Sequence, residues 1–239
     1  MFRRFFLCCA AFALATPALA GEGLLIAAGA GYRKPVLELL QTFTSTTGIK
    51  AEASFGNMKQ VEVQARQNPD IDFLIGDKTF LEPMQLAQRF EHLGKGQLVL
   101  VASKAHTLNA LADLAQPRFK RIAIPDRTKA VYGKAAYTCL ERSGLAATLQ
   151  DKLIEVATVP QVSAYLSTGN VDAGFVNATE ALALKDKVGG RLEIASQCHE
   201  PIELSLAVLQ GRDATPATQA FLRFIVTPQA REVMQRHGL

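Results

Sequence analysis

Residues 26–35 read IAAGAGYRKP. An apolar strand, Leu24 to Ala28, runs into the glycine-spaced turn Gly29-Ala30-Gly31, and a helix starts at once behind it with Tyr32, Arg33 and Lys34. By charge alone the two cations are out of place, because a helix dipole favours anions at its N-terminus. A glycine turn joining a buried strand to a helix N-terminus nevertheless lets the backbone come close to a small negative ligand. The stretch reads as strand, ligand-approaching turn and helix, with Arg33 and Lys34 either solvated or facing an anion.

Outward from this point the same order repeats. A helix over about 34–47 carries the apolar stripe Val36, Leu39, Leu40 and Phe43 and stops at Gly48. IKAEASF (49–55) alternates as a strand, Gly56-Asn57-Met58 forms a second turn, and a helix follows over about 59–67. IDFLIGD (71–77) is a buried strand, followed by a short helix around 80–89. After the apolar run QLVLVAS (97–103) come a helix near 108–115, the strand RIAIPD, a helix over 132–143, LIEVAT, a helix over 160–168, VDAGFV, a helix over 178–186 and RLEIAS. ELSLAVLQ (203–210) is a last strand-like run before two terminal helices, ATQAFLRFIV and PQAREVMQRHG. Alternating strands and helices imply an α/β fold of mostly parallel sheet flanked by helices. The runs 97–103 and 203–210 bracket a middle block, the layout of one domain inserted into another. That gives 21–100 with 206–239 as one domain and 101–205 as the other.

The first twenty residues have the form of a secretion signal. Arg3 and Arg4 open it, Phe5 to Ala15 form its apolar run, and Ala18-Leu19-Ala20 is a small-x-small cleavage site. Cys8 and Cys9 lie inside the apolar run, away from that site. The mature chain is expected to start at Gly21 and to be soluble in a bacterial periplasm. Removing 20 of the 239 residues takes away two of the 26 basic residues and none of the 22 acidic ones, so the formal charge falls from +4 to +2. So mild a charge, with no Lys/Arg run, argues against nucleic acid as a partner. Cys139 and Cys198 remain, and in an oxidising compartment they read most simply as a disulfide. The alternative, a metal site using Cys198 and His199, has no spacing motif behind it.

Open parallel sheets bind ligands at the carboxyl ends of their strands. Five turns qualify: Gly29–Arg33, Gly56–Met58, Pro125–Gly133, Thr158–Gln161 and Asn177–Thr179. Each opens a helix, and together they offer N-terminal N–H groups to one small anion. GAGYRK begins like a dinucleotide fingerprint, but Lys34 stands where its third glycine belongs. There is no G-x-S-x-G, H-E-x-x-H or P-loop, and His92, His106, His199 and His237 are scattered surface candidates. Asp126-Arg127 reads as a substrate clamp or as an exposed ion pair.

AAGAGYRKPVLELLQTF, TGIKAEASFG and PDIDFLIGD together resemble the opening of periplasmic molybdate-binding proteins, the substrate-binding subunits of ABC importers. The likeness continues through LVLVASK, YGKAAYTCLERSGL, VPQVSAYLSTGNVDAGFVNATEA and AFLRFIVTPQAREVMQRHGL. It implies a two-lobed, type II periplasmic-binding fold whose lobes close on the ligand about two crossing strands. In that family a tetrahedral oxyanion is held by two serine hydroxyls, main-chain N–H groups and a tyrosine hydroxyl. Carried over, the serines fall on Gly31 and Met58, the main-chain positions on Tyr132 and Val159, and the tyrosine on Asn177. Every side-chain hydroxyl is thus replaced. Asn177 keeps an amide donor and Gly31 its N–H, whereas Met58 cannot donate. Tyr32, Arg33, Lys34 and Tyr132 lie beside these positions, and Arg33 has the fork to grip two oxygens.

The resemblance implies a periplasmic, monomeric binding protein that catalyses nothing and carries no cofactor. Its partners would be a small anion of molybdate or tungstate type and an ABC permease in the inner membrane. The other binding reading is a transition metal or metal chelate held by Met58, Tyr32 and Tyr132. An exported phosphate-ester enzyme built on Asp126, Arg127 and Tyr132 has no nucleophile–base spacing to support it.

Overall fold

The run 24–28 becomes an interior strand because both of its faces are covered. The computed structural model describes residues 23–239, and the expected signal at 1–20 lies outside the described residues. The first block runs β1 (Leu24–Gly29), α1 (Arg33–Thr47), β2 (Ala51–Gly56), α2 (Met58–Gln67), β3 (Phe73–Asp77), α3 (Lys78–Leu81) and β4 (Ala87–Gly96). The middle block holds β5 (Leu98–Ser103), β6 (Ile122–Pro125), α4 (Val131–Arg142), α5 (Ala146–Leu149), β7 (Leu153–Val156), α6 (Val159–Ser167), β8 (Ala173–Asn177), α7 (Ala178–Leu184) and β9 (Val188–Glu193). β10 (Ile202–Leu209), α8 (Pro216–Ile225) and α9 (Pro228–Arg236) complete the described chain. Among the described residues no helix is long and apolar enough to cross a membrane.

The strands form two sheets of matching topology, β2-β1-β3-β10-β4 and β7-β6-β8-β5-β9. In the first, β1 pairs in parallel with β2 and β3, while β10 runs antiparallel to β3 and β4. In the second, β6 is parallel to β7 and β8, while β5 is antiparallel to β8 and β9. Both sheets are therefore mixed, each with a parallel half and an antiparallel half. Parallel neighbours need a crossover of a dozen or more residues. β4 passes into β5 through Gln97 alone, so the chain changes sheet there with no helix between. It returns through residues 194–201.

Three sequence expectations change. The helix expected over 80–89 is only α3 and a 3-10 turn at Glu82–Met84, closed by Gln85 in the left-handed region (φ 55°). Residues from Ala87 onward join β4 instead, because β10 offers them a full edge to pair with. The helix expected near 108–115 is a 3-10 turn at Leu111–Ala115. His199, expected at the surface, is buried, and its Nδ1–H donates to the Glu200 carbonyl at 2.7 Å.

The first sheet is held by an aromatic cluster. The Phe43 ring lies 5.1 Å from Phe221, and Phe73 lies 5.3 Å from Phe221, joining α1, β3 and α8. Fully burying one such side chain stabilises the fold by about 2–3 kcal/mol. In the second sheet every residue of β5 is buried, as expected of a strand covered on both faces. Cys139 of α4 is bonded to Cys198, tying that helix to the returning segment. Their separation of 59 residues puts the chain-entropy contribution at about 4 kcal/mol. Reduction, or the pair Cys139→Ser and Cys198→Ser, is therefore expected to lower Tm by roughly 10 °C, read by differential scanning calorimetry with and without reductant.

Candidate functional site

Four of the five turns named from the sequence meet. They line one cavity of about 20 Å³ through Gly29–Tyr32, Gly56–Met58, Ala130–Tyr132 and Thr158–Val159. Each contribution is the end of a strand or loop followed by the first turn of a helix. Asn57 caps α2 reciprocally with Gln60: its Oδ1 accepts the Gln60 N–H at 3.0 Å, and its own N–H donates to Gln60 Oε1 at 2.9 Å. Asn-x-x-Gln and Thr-x-x-Gln at 57–60 and 158–161 are capping patterns by which Asn57 and Thr158 were findable from sequence. α4 has no capping side chain, which leaves the Val131 and Tyr132 N–H groups to the cavity their residues line. At Gly133 a Cβ would stand 2.2 Å from the Asp126 carbonyl oxygen, so only glycine lets α4 start this close to its loop.

Two tyrosines fill the centre. Tyr32, from the turn before α1, and Tyr132, from the first turn of α4, are each 1% exposed with ring centroids 6.0 Å apart. The two hydroxyls lie near one another, and the Tyr132 hydroxyl near the Asn177 amide, but neither makes a hydrogen bond of sound geometry. Burial pushes both phenols well above their ordinary range; the neighbouring Tyr132 and the Asp77 carboxylate add to the effect at Tyr32. Both therefore stay protonated donors at physiological pH. Asp77 is itself satisfied, accepting from Thr79 and, at 2.9 Å, from the Glu203 N–H. The Tyr132 hydroxyl reaches the crossover: a Cβ on Gly96 would lie 2.4 Å from it.

The remaining candidates are placed less simply. Gly31 faces Asn177 across the cleft, where the Asn177 amide gives one of its two hydrogens to the Gly31 carbonyl at 2.8 Å while its Oδ1 accepts the Glu180 N–H at 3.0 Å. The sequence could not show this, because both partners depend on how the sheets meet. Val159 lines the cavity beside Gly31. The Met58 side chain packs under the turns, against the space beside Gly29 and Gly76, and its N–H donates to the Lys129 carbonyl at 2.8 Å. Arg33 does not line the cavity; it is exposed, with its guanidinium 5.0 Å over the Phe55 ring. Lys34 instead pairs across the cleft with Glu180, whose side chain is 5% exposed. Asp126 and Arg127 do not form a clamp, since Arg127 pairs with Glu155 at 3.0 Å. Among the described residues no group of three or more His, Cys, Asp or Glu is placed to hold a metal ion.

Asp126 organises its own loop. Its Oδ1 accepts from the Thr128 N–H (2.9 Å), the Thr128 hydroxyl (2.9 Å) and the Lys129 N–H (2.8 Å). Burial pushes the carboxyl up, but these bonds and the Lys129 ammonium outweigh it and hold the pKa at about 2. The folded value lies below the unfolded one, about 3.9. The contribution is therefore full above about pH 4 and is lost as pH falls towards about 2. Urea unfolding at about pH 5 and about pH 3 is expected to show a stability loss that shrinks in Asp126→Asn.

A family model described as bacterial extracellular solute-binding protein matches residues 24–239. The molybdate-binding protein ModA of Azotobacter vinelandii is 29% identical over 234 residues, covering 94% of this chain and 92% of that protein. ModA of Rhodobacter capsulatus is 26% identical over 232 residues, covering 94% and 90%. The solved periplasmic molybdate-binding protein of Azotobacter vinelandii superposes with a TM-score of 0.82 at 21% identity, covering 90% of this chain and 97% of that one. The two mixed, helix-flanked sheets of this chain thus share that protein's overall fold. On the match across 24–239, the chain belongs to the bacterial extracellular solute-binding proteins.

Proposed function

We propose that the chain is the periplasmic substrate-binding subunit of an ABC importer and holds a small oxyanion of molybdate or tungstate type between its sheets. In this reading 21–100 with 206–239 and 101–205 are two lobes, hinged where the chain changes sheet at Gln97 and within 194–201. The leader at 1–20 sends the chain to the periplasm, where it works as a monomer and delivers ligand to an inner-membrane permease.

The observation that carries the reading is a pair of buried phenol hydroxyls with no well-formed hydrogen bond where four helix N-termini meet. A buried donor left unmade costs about 1–3 kcal/mol. An anion would relieve two such costs at once, with helix N–H groups offsetting its charge. Tyr32 and Tyr132 thereby supply the hydroxyls that Gly31, Met58 and Asn177 lack. The same protonated phenols are poor ligands for a hard metal, which needs the phenolate. A space of about 20 Å³ holds little more than one water-sized body, so an oxyanion enters with some parting of the lobes.

The test is a thermal-shift panel on the mature chain, 21–239, with molybdate, tungstate, sulfate, phosphate and divalent and ferric metals. Ligand at about 100 times its Kd adds about 2.7 kcal/mol. That should raise Tm by roughly 5–10 °C with molybdate or tungstate. A response to metals alone would overturn the reading. By isothermal titration, Tyr32→Phe and Tyr132→Phe should each weaken oxyanion binding at least about tenfold, the worth of a charge-assisted hydrogen bond. Arg33→Ala, which removes a group outside the cavity, should leave affinity within about twofold.

A further inference from the structure

Three residues of one helical turn reach across the cleft. Asn177, Thr179 and Glu180 open α7 in the middle block, and each has a polar partner in the first block or in α9, which packs on it. The Asn177 amide donates to the Gly31 carbonyl at 2.8 Å, the Thr179 hydroxyl donates to the His237 carbonyl at 2.9 Å, and the Glu180 carboxylate pairs with the Lys34 ammonium. The three side chains of α7 are buried. The seat that receives them is one piece. His237 ends α9, where helix carbonyls lack an N–H partner, so its carbonyl is open to an outside donor. Its ring lies 2.7 Å from Glu38 of α1, which also meets Arg236, so the end of α9 is tied to α1. Gly238 then passes so close to α7 that a Cβ there would stand 3.1 Å from the Ala178 side chain.

The ion pair accounts for a cation that its own helix disfavours. Lys34 sits in the first turn of α1, at the positive end of the dipole, whereas Glu180 sits in the first turn of α7, where an acid is favoured. The Lys34 side chain is 43% exposed and that of Glu180 only 5%. A buried carboxylate stripped of its partner is costly, so the burial of Glu180 depends on a cation brought from the other block.

We infer that the first turn of α7 is the clasp that keeps the two lobes shut on the ligand, with Thr179, Glu180 and Lys34 as its positioning residues. The inference rests on the two-lobed binding reading above. None of these three residues lines the cavity, so the clasp governs how long a ligand stays rather than how it is gripped. Closing the lobes on a ligand makes the three contacts, and parting them breaks all three.

The test is the kinetics of molybdate binding by stopped flow and displacement. Thr179→Val should raise the dissociation rate roughly three- to tenfold, one hydrogen bond's worth, with the association rate within about twofold of the parent's. Lys34→Ala should raise it about tenfold or more, because Glu180 is left buried and unpaired. Glu180→Gln should cost less, because Lys34 is left half in solvent, and the two substitutions together should cost less than the sum of their separate effects. Thr168→Val, which removes a hydroxyl bonded within its own helix to the Ala164 carbonyl at 3.0 Å, should leave both rates unchanged. Unchanged dissociation in both Thr179→Val and Lys34→Ala would overturn the clasp, as would a loss confined to association.

A second readout separates the clasp from the ligand. Spin labels on Val63→Cys and Tyr165→Cys, exposed positions of α2 and α6 on opposite sides of the cleft, report lobe separation by double electron–electron resonance. At each molybdate concentration the short-distance fraction should be smaller in Thr179→Val and Lys34→Ala than in the parent. Equal fractions, with molybdate bound, would overturn the clasp and leave the ligand reading standing. If molybdate does not bind, yet the short distance of the parent lengthens in these variants, the ligand reading falls and the clasp stands. A parent that shows only the long distance under every anion tried would overturn both.

Discussion

The first N–H groups of a helix have no acceptor within the helix, and the architecture of this protein follows from where those of four helices find one. Three strand ends and one loop aim helix N-termini at a single point between two sheets. Away from that point the orphan donors are taken by ordinary caps, the Thr218 N–H by the Thr215 hydroxyl and the Ala230 N–H by the Thr227 hydroxyl. At the point itself they are taken by the other sheet, as with Met58 and Lys129, or left for the cavity, as with Val131 and Tyr132. A cleft of unspent donors suits an anion, and it requires no formal positive charge to do so.

That principle explains the fate of the two cations that open α1. Arg33 lies outward over Phe55, where stacking and solvent together satisfy a guanidinium. Lys34 meets Glu180 from the other sheet, a carboxylate that is almost wholly buried and needs a counter-charge. Neither enters the cavity. The side-chain donors there are phenols, which burial keeps neutral, so the cavity carries dipoles rather than fixed charges.

Matching topology in the two sheets places equivalent residues at equivalent corners with different work to do. Asp77 ends β3 and Asn177 ends β8, and each accepts an N–H from the helix that follows. Asp77 spends its second oxygen on the Glu203 N–H near the returning crossover, and Asn177 gives one amide hydrogen to the Gly31 carbonyl. A carboxylate at the second position would have no donor to give Gly31. Gly96 makes the complementary demand, since any side chain there would displace the Tyr132 hydroxyl.

The amino-acid sequence by itself determined the strand–turn–helix units, because buried strands, amphipathic stripes and glycine turns are written in local periodicity. It also located four of the turns that build the cavity and the two cysteines that are joined. It missed β4, whose residues 87–96 are only partly buried and take their strand form from pairing with β10 more than a hundred residues later. What only the tertiary structure decided is which donors are free. Asn177 looks available in the chain and is engaged in the fold, as is the Met58 N–H, whereas the Tyr32 and Tyr132 hydroxyls are left without a well-formed hydrogen bond. Hydrogen-bond satisfaction between residues 71 or more positions apart is fixed by how two sheets meet, and no local pattern encodes it.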